Sequence, residues 1–252
     1  MYLHRERVGP VELAFTDRYG GVSAAPFDSL NLASTGPDDD GSRAENLRRV
    51  LDDFAPGAGL AGLQQVHGDR VVVVEEPPAG SPPEADGLVT DQPDLVLMVR
   101  AADCVPVLLA DPVAGVVGAA HAGRPGLAAG VVLRTVQAMR DLGARSLTAW
   151  VGPHVCGSCY EVPEAMREQV VALEPASRAT TSWGTPALDI GAGVRAQLAR
   201  SGVEVVDVAR CTRESEDLYS YRRDGAGSGR LAGLVRLHAP GVAPGVVPGV
   251  VR

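Results

Sequence analysis

Three apolar runs in the middle of the chain predict buried β-strands. They are rich in Val, Leu and Ala, are bounded by Asp, Pro or Gly, and cover residues 95–99, 105–111 and 115–122. Only a short turn joins the second run to the third, which predicts an antiparallel pair. Further strand patterns begin at Val11, Arg70, Ser146 and Val203, and a last strand is predicted just before residue 239.

Apolar residues at helical spacing predict four helices, which cover residues 42–55, 127–142, 163–175 and 190–202. In the first helix, Ser42 and Glu45 are spaced as a capping box. The second helix is predicted to end at Gly143, a suitable C-terminal glycine. Because strands and helices mix without a strict β-α-β rhythm, the sequence predicts an α+β fold.

The chain has 252 residues, which is compatible with one large domain. We expect residues 1–239 to form that domain. Residues 240–252 repeat Pro, Gly and Val without an amphipathic pattern, and we expect them to be a mobile tail.

Composition excludes several classes of function. The formal net charge of −8 disfavours binding to nucleic acid or to an anionic membrane, so small molecules are the better candidates. The sequence contains no lysine, which excludes a lysine Schiff base and therefore pyridoxal phosphate attachment. The N-terminus lacks the apolar core of a signal peptide, and no apolar stretch is long enough to span a membrane; we expect a cytoplasmic protein with reduced cysteines.

Three side chains with metal-binding chemistry lie at the ends of predicted strands. His67, Cys104 and His121 offer imidazole nitrogen and thiolate sulfur, which Zn²⁺ prefers, and three protein ligands leave a fourth position open, as in catalytic zinc sites. They are too far apart in sequence for a local zinc-finger spacing, so the fold must bring them together. Taken singly, each is better interpreted as an ordinary structural residue: Cys104 as a small buried apolar residue and the histidines as satisfied polar residues at strand ends.

Two other motifs are weaker. Cys156 and Cys159 form a lone C-x-x-C, but several residues separate it from the next predicted helix, unlike a thioredoxin motif, so we interpret it as mainly structural. The segment 219–225 contains two tyrosines and two adjacent arginines, which can stack on a ring and hold an anion. An ordinary solvated loop explains this segment equally well.

Seven segments in order along the chain resemble the YfiH family, also called the laccase-domain or purine nucleoside phosphorylase YfiH/LACC family. They cover nearly the whole sequence except the tail, and they are 20–32, 64–71, 85–90, 102–111, 119–123, 152–162 and 219–225. The resemblance implies mixed sheets flanked by helices in a layered α/β/β/α arrangement. It also implies that His67, Cys104 and His121 are zinc ligands.

The family's activities imply a zinc enzyme acting on purine nucleosides and phosphate. The implied reactions are phosphorolysis of adenosine, inosine, guanosine or methylthioadenosine, and deamination of adenosine. Under this interpretation Arg48, Arg222 and Arg223 are candidates for holding phosphate, and Asn31 is a candidate polar contact. Asp103 is the candidate catalytic residue, which would orient a ligand histidine or transfer a proton.

The sequence departs from the family pattern at two places. Arg124 and Pro125 stand where the family usually has Trp and Arg, and Leu47 stands where it typically has Arg. Neither change affects a proposed zinc ligand, so metal binding is expected more firmly than turnover of a particular nucleoside.

The same residues are compatible with other functions. Two histidines and a cysteine also suit copper, with Met98 as an axial ligand, in a polyphenol oxidase-like oxidoreductase; five histidines are too few for a full multicopper oxidase. Cys104 could instead be the nucleophile of a metal-free hydrolase, with His121 or His67 as the base. A weakly active metal-binding protein linked to cell-envelope maintenance is a further alternative. The sequence leaves the oligomeric state open.

Overall fold

The computed structural model describes residues 1–239. The strands in this range are β1 (Tyr2–Val8), β2 (Val11–Thr16), β3 (Gly59–Ala61), β4 (Val71–Val73), β5 (Gly87–Thr90), β6 (Leu95–Ala101), β7 (Val105–Asp111), β8 (Val116–Ala122), β9 (Thr148–Val151), β10 (Arg178–Thr180), β11 (Pro186–Leu188), β12 (Glu204–Asp207) and β13 (Leu231–Leu237). The α-helices are α1 (Asp40–Phe54), α2 (Arg124–Ala129), α3 (Val131–Asp141), α4 (Glu164–Val171), α5 (Ile190–Arg200) and α6 (Tyr221–Asp224).

The strands form two large mixed sheets and one small one. The first large sheet has the order β1-β2-β13-β6-β3 and the second has the order β12-β9-β7-β8-β5-β4, while β10 pairs with β11 alone. Most neighbours are antiparallel, but β3 with β6, β4 with β5 and β9 with β12 are parallel. The predicted α+β class is therefore confirmed.

Three apolar clusters show how the layers stack. Phe15 and Leu97 of the first sheet share a central cluster with Leu108 and Trp150 of the second, so the two sheets pack face to face. Helices α3 and α5 cover the outer face of the second sheet, and α1 covers the outer face of the first. The order of layers is helix, sheet, sheet, helix.

Some local predictions were wrong, each for an identifiable reason. Helix α1 is capped by Asp39, whose carboxylate accepts a hydrogen bond from the Ser42 backbone N–H at 2.7 Å, so the expected capping box at Ser42 does not form. The helix predicted over 127–142 is divided at Gly130, which adopts a left-handed conformation with φ of 86°. Strand β1 was not predicted because it is a half-buried edge strand rich in charged residues.

Two further expectations concern the C-terminal tail and membrane-spanning helices. The tail predicted at residues 240–252 lies outside the described residues. Among residues 1–239, no helix combines the length and the apolar character that a membrane span requires.

The β7–β8 hairpin positions two of the candidate metal ligands. Its register pairs Val105 with Ala122 and Pro106 with His121, so Cys104, one residue before β7, lies beside the His121 end of β8. At the opposite end of the hairpin the buried Asp111 carboxylate accepts four backbone hydrogen bonds, from the N–H groups of Val113, Ala114, Arg145 and Ser146. Asp111 therefore joins the hairpin turn to the segment before β9.

We expect Asp111→Asn to lower the free energy of unfolding by about 1–3 kcal/mol at neutral pH, because the amide turns one buried acceptor into a donor facing two N–H groups. Burial alone would raise the pKa of Asp111, but the N–H donors outweigh it and lower the pKa. The stabilisation is therefore present above about pH 4 and is lost as the pH falls through the lowered value.

Urea denaturation from neutral pH into acid measures this effect, with Asp141→Asn at the exposed end of α3 as the matched control. The stability deficit of Asp111→Asn should shrink in acid. A deficit that is unchanged by pH would contradict the assigned role of the ionised carboxylate.

Candidate metal centre and active-site pocket

The fold brings His67, Cys104 and His121 together. One ligand atom from each lies within 4.8 Å of the other two, and Cys104 Sγ is 3.8 Å from His67 Nε2. The two imidazole rings meet edge to face, with their centroids 4.9 Å apart. His121 is buried, Cys104 is half-buried and His67 is exposed, so the cluster is open on one side.

A buried carboxylate, Asp86, holds both histidines in place. It accepts hydrogen bonds from the backbone N–H groups of Val66, His67 and Gly68 at 3.2, 3.0 and 2.7 Å, which fixes the turn that carries His67. Its Oδ1 is also 2.8 Å from Nδ1 of His121. Because an ionised carboxylate only accepts, His121 keeps a proton on Nδ1, so Nε2 is the nitrogen at which a cation can replace a proton.

The sequence analysis missed Asp86 and assigned its role to Asp103. The carboxylate of Asp103 instead accepts hydrogen bonds from the Thr212 hydroxyl and the Arg222 backbone N–H, both at 2.6 Å. Asp103, the residue before Cys104, is therefore tied to Thr212 and to the start of α6, which bears Arg222. The segment 85–90 was among the quoted family segments, but nothing in its spacing showed that its aspartate reaches both histidines.

The backbone around the cluster is tightly constrained. His67 and Asp103 adopt positive φ angles of 61° and 90°, which cost of order 1–3 kcal/mol each in residues other than glycine and are maintained only by strong local contacts. A Cβ at Gly123 would lie 2.6 Å from His67 Cδ2 and 3.1 Å from Cys104 Sγ, so only glycine allows this close approach.

The cluster has the electrostatics of a thiolate and imidazolium pair. Burial alone would raise the pKa of Cys104, but the neighbouring His121 and His67 lower it to about 6. Burial would lower the pKa of His121, but Cys104 and Asp86 raise it to about 9. Cys104 Sγ and the imidazole nitrogens are thus held close together. A cation that binds them takes the place of the protons.

These residues fit a zinc ion. Zinc bonds of about 2.3 Å to sulfur and 2.0–2.1 Å to nitrogen in a tetrahedral site place the two ligand atoms about 3.6 Å apart, close to the 3.8 Å between Cys104 and His67. The set provides three protein ligands and an accessible side, as a catalytic site requires.

The cluster lies in the wall of a cavity of about 1030 Å³. The lining contains three arginines, Arg100, Arg222 and Arg230, and Asp103 is the lining residue with a carboxylate. Burial lowers the pKa of Arg100 to about 10, which leaves it charged at neutral pH. Although the whole chain is acidic, this cavity is therefore cationic.

Two tyrosines contribute aromatic surface to the same cavity. The guanidinium of Arg222 lies 4.4 Å from the centre of the Tyr160 ring, and that of Arg230 lies 5.9 Å from the centre of the Tyr221 ring. Each arginine is thereby held near an aromatic face, so the lining offers both stacking surface and positive charge. Arg100, Arg230 and Tyr160 were missed by the sequence analysis because they come from separate segments that only the fold unites.

The other predicted substrate residues take different positions. Asn31 is buried behind the cavity wall, where its oxygen accepts from the N–H groups of Ala33 and Arg230. Arg48 is exposed on α1 and pairs with Glu45 and Asp52. The guanidinium of Arg223 donates to several loop carbonyls and to Asp224. Of the four, only Arg222 lines the cavity.

The positions that depart from the family pattern also lie near the site. Leu47 lines a second cavity of about 630 Å³, which shares Arg100 and residues 33–35 with the first. Arg124 begins α2, three residues after His121. Met98, the suggested axial copper ligand, is fully buried in the apolar cluster beneath α1 and does not line the cavity.

Residues 12–238 match the family described as "Multi-copper polyphenol oxidoreductase laccase". The "Purine nucleoside phosphorylase SCO2081" of Streptomyces coelicolor is 52% identical over 240 residues, covering 92% of this chain and 98% of the relative. The "Purine nucleoside phosphorylase YfiH" of Escherichia coli is 38% identical over 227 residues, covering 87% and 91% respectively. The chain belongs to the YfiH, or laccase-domain, family.

A solved structure supports the layered architecture. The Neisseria meningitidis protein NMB0706 superimposes with a TM-score of 0.83 at 32% identity, covering 94% of this chain and 99% of that chain. The layered fold is therefore shared with a structurally characterised relative.

We expect Asp86→Asn to weaken zinc binding at this centre of the YfiH-family chain by about 10- to 100-fold, because the amide no longer fixes the His121 tautomer or accepts from all three turn N–H groups. Competition with a chromogenic chelator measures the affinity. Asp69→Asn, at a half-buried position that pairs with Arg134 on the surface, is the control and should retain zinc as the wild type does. Equal affinity in the two variants would contradict the role of Asp86.

Proposed function

We propose that residues 1–239 form a zinc-dependent purine nucleoside phosphorylase that also deaminates adenosine. The observation that carries this proposal is the opening of the His67, Cys104 and His121 cluster into a cavity lined by arginines and tyrosines. Relatives across nearly the full length of the chain are named purine nucleoside phosphorylases, which supports a purine nucleoside and phosphate as substrates.

His67, Cys104 and His121 would hold the Zn²⁺. When bound, the ion supplies Lewis-acid polarisation of an oxygen at its open position. Asp86 keeps His121 in the tautomer that this role requires, and the turn bearing His67 stays rigid because three of its N–H groups bind the same carboxylate.

The arginines of the cavity suit the phosphate. In phosphorolysis a phosphate oxygen attacks the sugar carbon as the base leaves, so the anion must be held and aligned beside the nucleoside. Arg222 and Arg230 have guanidinium groups at the cavity wall, and Arg100 adds charge from a more buried position. The carboxylate of Asp103 accepts hydrogen bonds from the Thr212 hydroxyl and the Arg222 backbone N–H. Its negative charge is therefore partly compensated, which reduces its repulsion of an incoming phosphate.

The tyrosines suit the nucleobase. Tyr160 and Tyr221 line the same cavity, and aromatic stacking recognises a planar base. Arg222 lies against Tyr160 and donates to the Glu161 carbonyl at 2.9 Å, so one side chain joins the stacking surface to the cationic wall.

One observation favours a second candidate, a metal-free cysteine hydrolase. Asp86, His121 and Cys104 form a carboxylate, imidazole and thiol series, and the pKa of Cys104 is lowered to about 6. Chelation separates the two candidates: the zinc enzyme loses activity when its metal is removed, whereas a cysteine hydrolase retains it.

We expect His67→Ala, Cys104→Ala and His121→Ala to lose zinc from this centre and to lose nucleoside turnover by at least about a hundred-fold, since the polarising ion is lost. Adenosine is incubated with phosphate to detect adenine and ribose 1-phosphate, and without phosphate to detect inosine. His4→Ala on the edge strand β1 is the matched control and should keep metal and activity. Turnover that survives chelation, or zinc binding with neither product, would overturn the proposal.

We expect Arg222→Ala to raise the KM for phosphate by about 10- to 100-fold, because a hydrogen bond to a charged group contributes about 1.5–3 kcal/mol. Zinc content should not change, since Arg222 contacts none of the three ligands. Arg48→Ala, an arginine exposed on α1 and outside the cavity lining, is the control and should leave the KM unchanged. Steady-state kinetics at varied phosphate measure the effect, and an equal KM in both variants would exclude Arg222 from phosphate binding.

A further inference from the structure

A second cluster of metal-binding side chains lies apart from the His67, Cys104 and His121 centre. One ligand atom from each of Cys156, Cys159, Cys211 and Glu214 lies within 4.8 Å of the other three. Cys156 and Cys159 are the isolated C-x-x-C of the sequence analysis. Cys211 and Glu214 come from a distant segment, so sequence spacing did not reveal the set.

Two turns present these side chains. In the first, the Cys156 carbonyl accepts from the Cys159 N–H at 3.0 Å. In the second, the Cys211 carbonyl accepts from the Ser215 N–H at 3.1 Å. Each turn carries two ligands three residues apart, C-x-x-C and C-x-x-E, and paired turns of this spacing are typical of four-ligand structural zinc sites.

Backbone hydrogen bonds hold the two turns against each other. A bridge links His154 to Cys211: the His154 N–H donates to the Arg210 carbonyl at 3.1 Å, and the Thr212 N–H donates to the His154 carbonyl at 3.0 Å. The Cys156 N–H donates to Cys211 Sγ at 3.5 Å, which joins the two turns directly. The donors are thus preassembled by the fold.

We propose that Cys156, Cys159, Cys211 and Glu214 bind a second zinc ion in a closed, structural site. Zinc to sulfur bonds of about 2.3 Å place tetrahedral sulfur ligands about 3.8 Å apart, so closure around an ion needs shifts of about 1 Å or less from the observed positions. Cys159 Sγ and Glu214 Oε1 are already 3.3 Å apart. Four protein ligands fill the coordination sphere, which distinguishes this site from the three-ligand centre.

The surroundings allow an ion to enter and then hold it. Glu214 is exposed and Cys156 and Cys211 are half-buried, whereas Cys159 is buried. Arg213 closes one side, because its guanidinium donates to the Cys159 carbonyl at 3.3 Å and lies 4.9 Å from the centre of the Trp183 ring.

The second ion would stabilise the wall of the catalytic cavity. Tyr160, which lines the cavity, directly follows Cys159. Thr212, which directly follows Cys211, donates to Asp103 at 2.6 Å, and Asp103 also accepts from the Arg222 N–H. The closed site therefore fixes the two turns from which Tyr160 and Arg222 are positioned. This inference does not rest on the proposed activity.

Metal content tests the proposal. The full chain is purified with reductant, loaded with Zn²⁺, separated from free metal and analysed for zinc per chain. We expect two ions in the wild type, one in Cys211→Ala, one in Cys104→Ala and none in the double variant. Ser158→Ala, an exposed position inside the first turn, is the control and should keep both ions.

Loading with Co²⁺ gives a second readout. The strong charge-transfer absorption of thiolate–Co²⁺ bonds should fall much more in Cys211→Ala than in Cys104→Ala, because the proposed site has three thiolates and the other has one. If Cys211→Ala does not fold, Glu214→Gln replaces it: the exposed change should keep the fold but lose its second ion to a chelator at about 10- to 100-fold lower concentration than the wild type.

The proposal of a second site would be overturned if the wild type held a single ion that was absent from Cys104→Ala but retained in Cys211→Ala. That result would leave the first centre unaffected. A disulfide between two of the three cysteines, found by mass spectrometry in protein isolated without oxidant, would also overturn it. Loss of zinc only in Cys211→Ala would instead support the second site and contradict the zinc centre of the proposed function.

Discussion

The site depends on one buried carboxylate, Asp86, which has four donors around it. Three are backbone N–H groups of the turn that carries His67, and the fourth is His121 Nδ1 on strand β8. An ionised carboxylate without donors would be very costly to bury, so this group and its partners must come together as a unit. Because Asp86 binds residues from two separate segments, it holds His67 and His121, the two candidate histidine ligands, in fixed positions relative to each other.

The third candidate ligand, Cys104, is positioned by strand pairing rather than by a carboxylate. Cys104 reaches the histidines because the antiparallel register of β7 and β8 sets the residue before β7 beside His121. Positive φ at His67 and at Asp103 then turns the two connecting segments toward one another. The β7–β8 hairpin and the strained turn at His67 thus position three donors that no local sequence spacing brings together. Gly123 leaves room for His67 and Cys104 to approach each other.

The apolar strands of the core could be predicted from sequence because each depends on a local pattern, whereas the charged edge strand β1 could not. The run 105–111 is apolar throughout and forms β7 with the expected bounds, and β8 follows it antiparallel. Features decided by one side chain were harder: Asp39 caps α1 in place of Ser42, and Gly130 interrupts a pattern that is otherwise helical. Local periodicity cannot reveal either, because both depend on the conformation of a single residue.

The site, like the fold, could be predicted only where a local pattern marks it. Imidazole and thiol groups at strand ends identified a candidate ligand set, whereas the residues that surround it depend on long-range contacts. Asp86, Arg100 and Arg230 come from different segments, and a net charge of −8 gave no sign of a cationic cavity. The same holds for Glu214, which becomes significant only when the Cys211 turn lies against the Cys156 turn.

Asp103 links the two donor clusters physically. Its backbone precedes Cys104, and its carboxylate binds Thr212, the neighbour of Cys211, as well as the N–H of Arg222. A displacement of the Cys211 turn would therefore act on Cys104 and on Arg222 through one buried residue with strained backbone. Since strain at such a position persists only when its surroundings over-determine it, the rigidity of the Cys211 turn helps to keep the cavity beside the His67, Cys104 and His121 cluster in shape.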